Sequence, residues 1–333
     1  MINIQILSNG KEIFSIEEPR MKAVLWHLTS RCNQRCKYCY GSFDGGSYFN
    51  NLSANIDVPL QYIENAMSQL SLQGFTRIHF CGGEVFLRKD IGDILYCAQK
   101  HNIESYVLSN FVSIPEDIEV LMTEGLFNGI AFSIDSLDEK YNLYIRGHHK
   151  QVFENINKVI NIKQRNNLST EIGLYMVLTK MNYNLIEPLL DWAENIGINY
   201  VSLQIVYLPE SHPLYSELIV DNPEQVSNIY RMMEVRSFSR RSNIVLSKIT
   251  DLLLCNKDLI VNSCFSLSGN HFLFIDGQGN VSSCITERSY LGNIMTDSIS
   301  DCILRIPNKQ CCDSFSANCL GIWEILYPKK EEV

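Results

Sequence analysis

The chain has 333 residues, 46% of them hydrophobic and 20% charged, which is enough apolar material for a substantial core and excludes disorder along its whole length. Lys and Arg number 28 against 37 Asp and Glu, and the net charge of −9 argues against binding along a nucleic-acid backbone. No apolar run is long enough to cross a bilayer and the N-terminus lacks a signal-peptide pattern, so a cytoplasmic protein without a membrane partner is expected.

In chain order, residues 1–21 read as an N-terminal extension, 22–220 as the core, 221–242 as a linker helix and 243–333 as a cysteine-rich segment. Within the core, short β-branched or aromatic runs alternate with amphipathic helical patterns. Strands are expected over Ala23–Leu28, Arg77–Cys81, Ser105–Ser109, Gly129–Asp135, Glu171–Leu178 and Tyr200–Val206. Helices are expected over Leu60–Leu72, Ile91–His101, Glu116–Glu124, Val152–Arg165 and Leu185–Ile196. Such alternation predicts a parallel sheet with right-handed crossovers. Six units fall short of the eight of a closed barrel. The predicted fold is therefore α/β, a partial (β/α)6 TIM-like barrel with a small cysteine-rich α+β extension, its chemistry at the carboxyl ends of the strands. Beyond Val206 the rhythm stops. Asn222 and Pro223 open a helix that runs to about Val235, and HFLFIDGQGNVSSC reads as a hairpin turning at Asp276–Asn280.

The twelve cysteines fall into two groups, Cys32 to Cys97 and Cys255 to Cys319. In a reducing cytosol, clustered cysteines point to metal or cluster ligands rather than to disulfides. Cys32, Cys36 and Cys39 stand at C-x3-C-x2-C directly after the first core strand. Zinc normally takes four N or S ligands, whereas three thiolates in one loop suit a [4Fe–4S] cluster with one open iron.

The loop CNQRCKYCY resembles the signature of the radical S-adenosylmethionine (SAM) superfamily. The resemblance implies that Cys32, Cys36 and Cys39 bind the cluster and that its open iron chelates the methionyl amine and carboxylate of SAM. It further implies that an electron from the cluster cleaves SAM to methionine and a 5′-deoxyadenosyl radical, which takes a hydrogen atom from substrate. The electron would come from a reducing protein such as a flavodoxin or ferredoxin. Gly82-Gly83-Glu84 resembles the family's GGE motif, with Glu84 accepting from the methionyl ammonium. Ser109-Asn110 resembles its ribose contact, although Phe111 replaces the usual glycine. Ser133 and Asp135 match its S-x-D pattern, Arg146 the cation for the SAM carboxylate, and Tyr38 the aromatic residue near adenine. Singly, each is an ordinary strand-end turn or helix cap; in this order behind the cysteine loop they reinforce one another.

In the last segment, Cys264-x14-Gly279-x4-Cys284 brackets the hairpin and resembles the SPASM or shorter twitch extension, which holds auxiliary Fe–S clusters. Lys309 and Trp323 stand where a full SPASM domain has cysteines, so the resemblance implies one auxiliary cluster, held by Cys264, Cys284, Cys312 and Cys319. Cys255, Cys302 and Cys311 are the alternatives, Cys302 reading rather as a buried helix thiol. Arg231, Arg236, Arg240 and Arg241 form a basic strip that either docks an acidic leader peptide or is a solvated helix face.

SPASM and twitch enzymes modify peptides or small molecules. The expected activity is that of an oxidoreductase maturing a ribosomally made peptide, by crosslinking, epimerisation or side-chain oxidation. The alternative is a radical dehydrogenase or epimerase of a carbohydrate-like small molecule. Cys255 is the candidate hydrogen donor for an epimerisation. Only 31 residues precede Cys32, too few for the winged-helix domain that many peptide maturases carry.

Overall fold

The computed structural model describes residues 2–6, 12–16, 21–39, 57–206, 208, 210–236, 260–263, 271–284 and 289–307. Strands β1 (Ile2–Ile6) and β2 (Glu12–Ile16) form an antiparallel pair. The alternating core follows: β3 (Lys22–Thr29), α1 (Leu60–Leu72), β4 (Phe75–Gly82), α2 (Ile91–Lys100), β5 (Glu104–Ser109), α3 (Ile118–Thr123) and β6 (Gly129–Ser133). It continues through α4 (Glu139–Ile145), α5 (Lys150–Arg165), β7 (Glu171–Leu178), α6 (Ile186–Asn195) and β8 (Tyr200–Ile205). Next come α7 (Tyr215–Leu218), α8 (Pro223–Glu234), β9 (Ile260–Ser263), β10 (Phe272–Ile275), β11 (Asn280–Ser282), β12 (Tyr290–Asn293) and α9 (Ile299–Leu304).

The fold is α/β. Strands β3 to β8 lie side by side in chain order, every neighbour parallel, in a nine-stranded sheet ordered β12-β11-β10-β3-β4-β5-β6-β7-β8. Among the described residues β8 ends the sheet without meeting the other edge, so the barrel is partial and open. One face packs on the helices. The i, i+3, i+4, i+7 positions of α1 (Ile63, Ala66, Met67, Leu70) are buried against it, as are Trp26, Phe80, Phe132 and Met176 of the strands. The opposite face carries a separate cluster of Leu108, Ala131, Tyr175 and Tyr200.

All six expected core strands and five core helices are present, with bounds within two residues of those read from the sequence. The helix α4 was not among them. Asp138 caps it by accepting from the Tyr141 N–H, and it places Arg146 below the cysteine loop. The expected cap of α8 is in place, Asn222 accepting from the Gln225 N–H at 3.2 Å. The C-terminal hairpin is also present, and its strand β10 pairs in parallel with β3, from Ala23 opposite Phe272 to Trp26 opposite Ile275. Residues of the 243–333 segment thus continue the same sheet that carries the core. A further strand of it, β9, pairs in parallel with β2.

Candidate functional site

The carboxyl ends of β3, β4, β5 and β6 converge on the loop that holds Cys32, Cys36 and Cys39. Its first half is tied to the β4 and β5 ends. The Arg31 guanidinium pairs with Asp57 and reaches the Leu87 carbonyl at 3.3 Å. Asn110 Nδ2 donates to Asn33 Oδ1 at 2.8 Å, and Asn33 Nδ2 donates to Ser113 Oγ at 3.0 Å. The second half is tied to the C-terminal turn of α4. There the Lys37 N–H donates to the Ile145 carbonyl at 3.0 Å, and the Lys37 ammonium sits 3.1 Å from the Tyr144 ring centroid.

Donors surround the sulfurs. The Gln34 N–H lies 3.4 Å from Cys32 Sγ, Asn110 Nδ2 3.8 Å from the same atom, and Arg146 Nη1 4.0 Å from Cys36 Sγ. Burial pushes the Cys32 thiol up and the Cys36 thiol up to about 12, the latter opposed by Arg146. Metal binding would therefore release protons here. Among the described residues, no three Cys, His, Asp or Glu side chains close on one point as ligands of a single ion must. Three thiols in one loop, with N–H donors beside the sulfurs of Cys32 and Cys36, are a donor set that fits a [4Fe–4S] cluster.

The Gly82-Gly83-Glu84 turn follows β4. Gly82 has φ of 137° and Gly83 lies against the Arg31 carbonyl so closely that a Cβ at either position would overlap backbone. Two hydrogen bonds fuse this turn to the cysteine loop, Gly83 N–H to the Thr29 carbonyl at 2.9 Å and Glu84 N–H to the Arg31 carbonyl at 2.7 Å. Glu84 is 1% exposed. Its carboxylate accepts from Ser109 Oγ at 2.7 Å, the Asn110 N–H at 2.7 Å and the Phe86 N–H at 3.0 Å. Burial pushes it up to about 7 against these donors, all of them neutral. A buried carboxylate without a cation suits an arriving ammonium group.

Ser109 and Asn110 therefore orient Glu84 and the loop, the Ser109 hydroxyl also accepting from the Phe111 N–H at 3.0 Å. Phe111 keeps the backbone expected of the glycine it replaces, with φ of 58°, while its fully buried ring packs between Phe86 and Phe132. Asp135 is fully buried. It accepts from Arg146 Nε at 2.7 Å and Nη2 at 3.0 Å, from the Val177 N–H at 2.8 Å and from the Tyr38 hydroxyl. Asn182 Nδ2 donates to its backbone carbonyl at 3.0 Å. Protein donors thus fill the Asp135 carboxylate, and Tyr38 is buried with its hydroxyl engaged. Ser133 instead lines a small cleft with Gln34, Asn142, Arg146, His148 and His149. Two buried atoms in that cleft, Gln34 Nε2 and Asn142 Oδ1, have no hydrogen-bond partner among the described residues, and a polar ligand beside Ser133 would satisfy them.

Sequence reasoning missed Asn33, Asn182 and Arg88, the last of which donates to the Leu28 and Val58 carbonyls at 3.3 and 3.0 Å. The contacts that bear on the site, Asn33 to Asn110, Asn182 to the Asp135 carbonyl and Arg88 to the Leu28 and Val58 carbonyls, join residues far apart in sequence, and residue spacing does not mark such pairs. In the C-terminal segment, Cys284 is buried beyond β11 and Cys302 is buried in α9. Cys255, Cys264, Cys311, Cys312 and Cys319 lie outside the described residues, as do Arg240 and Arg241 of the basic strip. Arg236 of that strip pairs with Asp191 at 2.7 Å and Glu194 at 3.5 Å. No helix among the described residues is long and apolar enough to cross a membrane.

The model of the radical SAM superfamily matches residues 26–209, more than half of the chain. The chain belongs to the radical SAM superfamily. Members of this superfamily are enzymes of radical chemistry, and membership implies a [4Fe–4S] cluster and SAM. An S-adenosylmethionine-dependent nucleotide dehydratase of Psychrobacter lutiphocae is 27% identical over 206 residues, 58% of this chain and 68% of that protein. A GTP 3′,8-cyclase of Clostridium botulinum is 24% identical over 263 residues, 78% of this chain and 79% of that protein. The radical SAM fold extends to solved structures. Streptococcus suis SuiB bound to SAM matches at a TM-score of 0.61 and 15% identity over 84% of this chain, which spans 65% of SuiB, just under two thirds. SuiB bound to its precursor peptide SuiA matches at 0.61 and 16% over 92% of this chain and 70% of SuiB.

Proposed function

We propose that the protein reductively cleaves SAM at a [4Fe–4S] cluster held by Cys32, Cys36 and Cys39 and abstracts a hydrogen atom from a ribosomally made peptide. One observation carries the SAM site. Glu84, buried and without a cation among its described partners, is fused by backbone hydrogen bonds to the cysteine loop. When bound, the cluster and SAM supply the one-electron reduction and the hydrogen abstraction. The protein's own part is orientation. Glu84 takes the methionyl ammonium, Ser109 and Asn110 hold Glu84 in place, and Ser133 with Gln34 and Asn142 offers polar contacts beside the loop. The sheet face turned from the helices keeps water out with Leu108, Ala131, Tyr175 and Tyr200.

A peptide substrate is supported by the likeness to SuiB, which is solved with its precursor peptide. A net charge of −9 also disfavours a polyanion. The curated relatives support a second reading, a small nucleoside-type substrate. An auxiliary cluster on Cys284 with Cys264, Cys312 and Cys319 would accept the second electron of an oxidation; the C-x14-G-x4-C spacing supports it.

The test is anaerobic reconstitution of the wild-type chain and of the triple variant Cys32→Ala/Cys36→Ala/Cys39→Ala. About eight irons in wild type and about four in the variant are expected, with 5′-deoxyadenosine released only by wild type under dithionite. About four and none would remove the auxiliary cluster. Iron retained in full by the variant would remove the SAM cluster assignment.

A further inference from the structure

We propose that Asp135 and Arg146 act as one unit that sets the reduction potential of the cluster through Cys36. The proposal rests on the assignment of Cys36 as a cluster ligand. Arg146 commits Nε and Nη2 to the two oxygens of Asp135, at 2.7 and 3.0 Å. Its remaining corner, Nη1, faces Cys36 Sγ at 4.0 Å. The pair is deeply placed, Asp135 at 0% and Arg146 at 9% exposure, so solvent screens little of its field. Val177, Tyr38 and Arg146 together fill the Asp135 oxygens, and Asn182 pins its carbonyl. The planar fork is therefore fixed, and its cation is not free to swing toward another anion.

The Tyr38 ring lies 5.4 Å from the guanidinium carbon and its hydroxyl bonds Asp135, while its backbone lies between Cys36 and Cys39 in the loop. The same unit thus holds the loop and charges it. Adding an electron to a cluster increases the negative charge on its thiolates. A cation at Cys36 favours the reduced form, and the Asp135 carboxylate, set against the opposite edge of the guanidinium, partly offsets that. Removing the two charges one at a time must then move the potential in opposite directions. A purely structural brace has no such sign dependence.

The chain is reconstituted anaerobically as wild type, Arg146→Gln, Asp135→Asn, Arg146→Lys and the double variant Asp135→Asn/Arg146→Gln. The double variant leaves no unpaired buried charge that would unfold the site. Iron per chain, the midpoint potential from an EPR-monitored redox titration without SAM, and SAM affinity from the EPR change on adding SAM are measured. Arg146→Gln and the double variant are expected to lower the potential and Asp135→Asn to raise it. The Arg146→Gln shift corresponds to about a tenfold change in the reduction equilibrium, or about 59 mV for one electron, while the Asp135→Asn shift is smaller and the double variant falls by the difference of the two. Arg146→Lys should fall between wild type and Arg146→Gln, with SAM affinity close to wild type throughout. Unmoved potentials with SAM binding weakened tenfold or more in Arg146→Gln would place Arg146 on the SAM carboxylate and overturn the proposal. Shifts of the same sign in the two single variants would also overturn it. A wild-type chain that binds no iron would remove the cluster assignment and this proposal together, whereas iron-loaded variants with unmoved potentials remove the proposal alone.

Discussion

Phe111 holds a left-handed backbone that costs a residue with a Cβ about 1–2 kcal/mol, and it persists because its ring is buried between Phe86 and Phe132. Phe111→Ala keeps the backbone cost and loses the ring, so a loss of about 3–5 kcal/mol is expected in urea unfolding of the cluster-free chain. Phe111→Gly should be at least as stable as Phe111→Ala, the reverse of the usual order, because glycine relieves the backbone. Glu84 gives the second test at this scale. Its carboxyl is pushed by burial from 4.5 to about 7. Below pH about 4.5 folded and unfolded chains both carry the proton and there is no penalty. As pH rises toward 7 the unfolded chain releases its proton first, and stability falls by about 3 kcal/mol in total. Urea midpoints of the cluster-free protein at pH 5 and pH 8 should differ less in Glu84→Gln than in wild type. Equal pH dependence in the two would mean that Glu84 is not the group responsible. The GGE and S-x-D patterns were legible in the sequence, but the filling of Asp135 by Tyr38, Val177 and Arg146 was not. Tyr38 lies 97 residues away, and residue spacing carries no record of which donor reaches which oxygen.

Elements meet at the cysteine loop from both ends of the chain. The turn between β10 and β11 is held by Asp276, whose side chain accepts from the Gln278 and Asn280 N–H groups at 2.8 and 2.9 Å. Its Gly277 packs on the loop entry, where an added Cβ would lie 2.7 Å from Ser30 Oγ and 3.0 Å from Ser30 N. Gly277→Ala should cost about 1–3 kcal/mol by overpacking and lower the iron bound per chain after reconstitution, although every cysteine remains. Gly125→Ala is the control, since a φ of 71° strains an alanine while, among the described residues, no atom beyond its chain neighbours would lie within 4 Å of the added Cβ. It should lose stability and keep its iron. Helix α1 and strand β7 were legible to the residue, the helix by its periodic apolar face and the strand by an eight-residue, mainly apolar run, most of it buried. The two turns of α4 were not, because seven residues give too short a pattern to stand out from a loop.

At the scale of the whole molecule, the alternation of strands and helices announces an open α/β barrel, but it says nothing of which strand the C-terminal hairpin joins. Pairing across some 250 residues is settled by the burial it offers. Phe272, Leu273, Phe274 and Ile275 of β10 are all buried, each 2% exposed or less, and β10 bonds in parallel to β3. Beyond it, α9 docks on α1, where Gln69 Oε1 accepts from the Ile299 N–H at 2.8 Å and Gln73 Nε2 donates to Ser300 Oγ at 2.8 Å. A chain ended after residue 236 would leave β3 as an edge strand with its hydrogen-bonding groups open along one side and its apolar side chains uncovered. Such an edge invites pairing with another chain, and β3 leads directly into Cys32. The truncated chain is therefore expected to elute as aggregates on size exclusion and to reconstitute without a cluster. A monodisperse truncated chain carrying about four irons would instead mean that 243–333 is a separable domain and that β3 needs no C-terminal partner.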